Sequence, residues 1–160
     1  MNIMNRELFL KTAFCCMACD GNIADEEVRI IKEQSKKNDF LNNLDIENLL
    51  NVYISSINSE GISFLKSYLN EVRDNNFTND EKVQLLKIAI DIIEADNEVQ
   101  YSEIKFFKEI FNRLNVPEDL IEKEFPDKDI YFLPDIAQQD YEFVLNSNFA
   151  SINLNSAEHV

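Results

Sequence analysis

Two stretches of this chain repeat one another at a fixed offset, which restricts the fold to two like halves. Asp20-Gly21-Asn22-Ile23 is followed by Glu27, and Asp96-Asn97-Glu98-Val99 is followed by Glu103. The Asp-to-Asp and Glu-to-Glu separations are both 76. Upstream, Leu10, Lys11 and Ala13 recur as Leu86, Lys87 and Ala89; downstream, Val28 and Ile31 correspond to Ile104 and Phe107. Two unrelated amphipathic helices can match in apolar pattern by chance, so the paired acids carry the inference of an internal duplication.

The rest of the pattern is helical. Apolar residues recur at helix spacing, and only two Gly and three Pro punctuate 160 residues, which favours long helices over strands and turns. The expected fold is all-α, a bundle of about seven helices built on the duplication, over residues 5–125. Residues 126–160 form an acidic and aromatic C-terminal tail, largely irregular.

Helix one is expected over about Asn5 to Cys19, with Phe9, Ala13, Cys16 and Met17 as its inner stripe. Gly21 ends it, and the acids Asp25, Glu26 and Glu27 suit the start of helix two. Asp45 is an N-cap for helix three, and Ser59 starts helix four. Thr78 to Glu81 is a capping box for helix five, which runs to about Ala95. Helix six spans about Tyr101 to Leu114, and Pro117 opens a short helix seven ending near Phe125. The aromatics Tyr131, Phe132, Tyr141, Phe143 and Phe149 are more than a solvated tail carries. The tail either wraps the domain or is a docking segment.

A formal charge of −15 argues against nucleic acid, whose binding requires Lys and Arg to neutralise phosphates. Cations and basic protein surfaces are what such a field attracts. The N-terminus shows no leader pattern, and no apolar run approaches the roughly 20 residues of a spanning helix. A cytoplasmic protein without direct membrane insertion is the expectation. Cys16-Met17-Ala18-Cys19 has a redox-motif form, but its repeat equivalents Ile92 and Ala95 are apolar. Cys16 and Cys19 are therefore assigned to packing.

The acidic turns have two explanations. In one, Asp20 and Asp96 accept the free amides that start the following helices, and Glu27 and Glu103 are capping partners. In the other, Asp20, Glu27, Asp96 and Glu103 bind a hard divalent cation, calcium or magnesium, with Asn22, Asp25, Glu94 and Glu98 as additional oxygen ligands. An EF-hand is excluded, because position twelve from Asp20 is Ile31 rather than Glu. Zinc is disfavoured, since the single His is His159.

A helix ending in small residues, then Asp-Gly-x-Ile/Val with Glu seven positions after the Asp, in two copies, resembles the TerB tellurite-resistance family. The matching residues are Asp20 to Ile23 with Glu27, and Asp96 to Val99 with Glu103. Asn97 stands where the family usually has Gly. The resemblance covers about Asn5 to Phe125 and not the tail. It implies a duplicated bundle of about seven helices, acidic residues proposed to bind a divalent metal, and a cytoplasmic part in tellurite or general stress response beside protein partners. No Gly-rich phosphate loop and no nucleophile–histidine pair is present, so no catalytic residue is assigned and a non-enzyme is expected. The alternative is an acidic protein-interaction or scaffold module, in which the turns are caps only. Its partner would bind the acidic face or the tail.

Overall fold

The computed structural model describes residues 3–37, 44–95, 99–132 and 149–152. Among the described residues there are eight helices and no strand: α1 (Ile3–Ala18), α2 (Asp25–Lys37), α3 (Ile46–Glu60), α4 (Ile62–Asp74), α5 (Asn79–Ile93), α6 (Tyr101–Leu114), α7 (Glu118–Glu124) and α8 (Asp129–Phe132).

The duplication is structural. α1 and α5 start at Ile3 and Asn79, and α2 and α6 at Asp25 and Tyr101, so the offset of 76 is kept by whole elements. α1 packs against its counterpart α5, α2 lies on α5, and α6 packs mainly on α4 and α5 and more lightly on α1. Asn5 Nδ2 donates to Glu81 Oε2 at 3.4 Å. These two residues are equivalent positions, 76 apart.

α1 is buried on all sides. The expected stripe of Phe9, Ala13, Cys16 and Met17 is inaccessible, but from Leu8 to Cys19 only Lys11 reaches solvent. A helix apolar all round belongs in the interior, and α3, α4, α5 and α6 all pack on it. Thr12, its one buried polar residue, donates to the Leu8 carbonyl at 2.8 Å and pairs with the Tyr68 hydroxyl.

The start of α4 differs from expectation. α3 continues through Ser59 to Glu60, and the break falls at Gly61, with α4 starting at Ile62. Gly61 has φ +60, which an L side chain adopts only with strain, so the turn settles on the glycine rather than the serine. Asp45 caps α3 as expected, accepting from Asn48 N. The Thr78 capping box is formed, with Glu81 N donating to Thr78 Oγ1 at 3.2 Å and Thr78 N to Glu81 Oε1 at 2.9 Å. Thr78→Ala should cost about 1 kcal/mol, read as a fall of roughly 2–4 °C in melting temperature. Pro117 is the N-cap of α7 rather than its first residue.

Past Pro126 the chain keeps packing. Tyr131 of α8 is 2% exposed and meets Phe107 edge-on at 5.1 Å. Phe132 contacts Phe107, Phe111 and Phe125 with ring centroids 5.0–5.4 Å apart. This eighth helix is too short to show a period in the sequence. Further on, Phe149 to Ile152 lie against α3. Leu133, Tyr141, Phe143, Val144 and His159 fall outside the described residues.

Candidate functional site

α1 ends where Gly21 takes φ +84 and its N–H returns to the Ala18 carbonyl at 2.9 Å. The positive φ lets the chain reverse toward α2 without a Cβ clash. Within this turn Asp20 Oδ1 accepts from Asn22 N at 3.0 Å, an Asx turn of the kind aspartate favours. Glu27, in the first turn of α2, reaches back and accepts the Ala24 N–H through Oε1 at 2.8 Å.

The second half repeats this geometry. Glu103 Oε1 accepts the Gln100 N–H at 2.9 Å, and Gln100 is the equivalent of Ala24. The backbone bonds repeat too, Glu27 N to the Ala24 carbonyl and Glu103 N to the Gln100 carbonyl, both at 3.1 Å. Asp96, Asn97 and Glu98 lie outside the described residues.

Glu27 is 4% exposed and Glu103 3%. With Thr12 they make up the buried polar side chains among the described residues. Carboxylates are almost never interior unless something engages them. The pair that the sequence singled out by position is thus also singled out by burial.

Burial pushes the Cys16 thiol well above its usual value, and the charges of Cys15, Glu103 and Glu27 add to that. Cys19 is raised by burial, then by Cys16, Asp20, Glu103 and Cys15. Cys15 is raised chiefly by burial. Glu27 and Glu103, one from each half, are thus both among the charges that act on Cys16 in the last turn of α1.

Cys16 and Cys19 are core, as expected, and Cys15 is buried with them. Cys15 and Cys16 are inaccessible, Cys19 is 3% exposed, and Cys19 Sγ donates to the Cys16 carbonyl. Raised thiol values favour the neutral form in the fold. Their contribution is fully present below the unfolded-state value near 9.0 and is lost as pH rises above it. Stability should fall above about pH 9, and a thiol reagent at pH 8 should label the three cysteines only after unfolding. Rapid labelling of the native protein would contradict their burial.

The surrounding ligand candidates are placed differently. Asn22 and Asp25 are exposed beside the first turn. Glu94 holds the Lys128 ammonium with both oxygens, at 2.7 and 2.8 Å, and accepts the Tyr131 hydroxyl at 3.0 Å. That ties α8 to the end of α5 and gives Glu94 a protein cation as partner. Nothing in the local pattern marks this contact, because its partners lie 34 and 37 residues away. Among the described residues, no three His, Cys, Asp or Glu side chains come together so as to hold a metal ion.

A duplicated all-helical domain, with one buried glutamate behind an acidic turn in each half, is the class that fold and site define. Residues 11–123 match the family model of tellurite resistance protein TerB, and the chain belongs to that family. No curated protein and no solved structure matches it. No helix among the described residues is long and apolar enough to cross a membrane.

Proposed function

We propose that this TerB-family chain acts in tellurite resistance or the general stress response of the cytoplasm. In this role it takes up a divalent cation of the calcium or magnesium class through the acids of its duplicated helix-turn-helix sites. The supporting observation is the burial of Glu27 and Glu103, equivalent residues whose charges act on the same end of α1. Burial penalises each carboxylate, and like charges in one region raise that penalty. A hard cation with oxygen preference reverses both effects. Glu27 and Glu103 would be the interior ligands, and Asp20 and Asp96 would complete the set. Asn22, Asp25 and Glu98 are further oxygen donors, and Glu94 ranks last because Lys128 already neutralises it. The bound cation would supply charge neutralisation and tie the halves together. We assign the chain a binding rather than a catalytic role.

A second reading is an acidic interaction module with cap-only turns. It is favoured by the bonds from Ala24 N and Gln100 N, which give each glutamate a structural task without a ligand. Calorimetric titration of calcium and of magnesium into the wild type and into Asp20→Asn/Glu27→Gln separates the two. The cation reading expects saturable heat in the wild type and its loss in the variant. No heat at millimolar metal would leave the cap-only module.

A further inference from the structure

Phe149 to Ile152 are held along α3 by two asparagines. Asn58 accepts the Phe149 N–H through Oδ1 at 2.8 Å and donates from Nδ2 to the Phe149 carbonyl at 3.0 Å. Asn51 does the same for Ile152, at 2.9 and 3.1 Å. Each carboxamide therefore satisfies both backbone groups of one residue, much as a neighbouring strand would.

The spacing suits an extended chain. Asn51 and Asn58 are two helical turns apart, roughly 10.5 Å. Three residues of extended backbone advance about 10 Å. The segment runs antiparallel to α3, since its first residue meets Asn58 and its last meets Asn51. Ile152 is 8% exposed and joins the core, Phe149 packs partly against it, and Ala150 and Ser151 face solvent. Recognition thus needs a bare backbone plus an aromatic and a branched aliphatic anchor three residues apart.

We propose that this face of α3 is a docking groove for an extended segment of a protein partner, patterned aromatic-x-x-branched aliphatic. Phe149 to Ile152 is the internal occupant that a partner segment displaces. The groove reads main-chain groups and two anchors, so it is not particular to the chain that fills it. Asn58 lies exposed, so its two bonds to Phe149 can exchange for water when the segment lifts off α3. A tethered occupant competes at an effective concentration of order millimolar, so it sets a threshold that only a well-anchored partner passes. This inference is independent of the cation reading.

The test uses the full chain and a fluorescent peptide carrying the sequence of residues 146–154. In anisotropy titrations, Phe149→Ala/Ile152→Ala, whose own tail is weakened, should bind the peptide at least about tenfold more tightly than the wild type. Adding Asn51→Ala/Asn58→Ala should abolish that binding. Equal affinity in the first variant and the wild type, or binding indifferent to the asparagines, overturns the proposal. Hydrogen exchange on the wild type gives a readout without any variant. The Phe149 and Ile152 amides should be protected at least about tenfold and should lose protection in excess peptide. Exchange at unstructured rates, or protection unmoved by the peptide, would also overturn it.

Discussion

Replacing Phe107 with alanine should cost about 3–5 kcal/mol, the range for truncating a fully buried aromatic. Phe107 is inaccessible and touches both Tyr131 and Phe132. Its removal therefore opens a cavity between α6 and α8 that rings on both sides cannot fill. Tyr131 would also lose the packing that sets its hydroxyl on Glu94. Against a typical total of 5–15 kcal/mol, this is a large fraction, and the melting temperature should fall by roughly 6–20 °C. Urea denaturation followed by far-ultraviolet circular dichroism measures it; tyrosine emission adds a second probe in a chain with no Trp. Val52→Ala on α3, at a half-exposed site, is the control and should stay within about 0.5 kcal/mol. A Phe107→Ala loss below 1 kcal/mol would mean that α8 is not part of the cooperative core.

The second large effect depends on metal. Glu27→Gln/Glu103→Gln keeps an oxygen for the Ala24 and Gln100 amides while removing two buried charges. In a chelator the variant loses the desolvation cost of two carboxylates but also their charge-assisted bonds to the helix-start amides, so its stability should stay within about 1 kcal/mol of the wild type. With calcium or magnesium at a hundredfold excess over its dissociation constant, the wild type should gain about 2.7 kcal/mol. That corresponds to roughly 5–10 °C, and the variant should gain nothing. Melting curves with and without metal for both proteins give the four values needed. Identical curves for the wild type in chelator and in millimolar metal would contradict the cation reading.

Much of this architecture was legible because helices report themselves locally. Tyr101 to Leu114 shows its inner face at every third or fourth residue, and α6 has those bounds. Asp45 and Thr78 cap because their short oxygen side chains can do little else at those positions. α1 was less legible, since a periodic stripe identifies the best-buried face but does not show that the other faces are covered as well. At the α3–α4 junction, Ser59 was a plausible cap and Gly61 the decisive residue, because backbone strain at positive φ outweighs a side-chain bond.

The acidic site divides along the same line. That Glu27 and Glu103 are special was visible from their common offset. That both are interior follows only from the packing of helices distant in sequence on one another. The asparagine clamp was invisible. Asn51 and Asn58 carry no local signal, and their partners lie 101 and 91 residues along the chain.

The sequence by itself determined most of the helices and the duplication, because periodicity, caps and repeats are properties of short segments. Tertiary structure alone decided which faces vanish from solvent, which charges share a neighbourhood and where the chain's last described residues bind. Those outcomes depend on contacts between segments distant in sequence, and no local pattern encodes a distant neighbour.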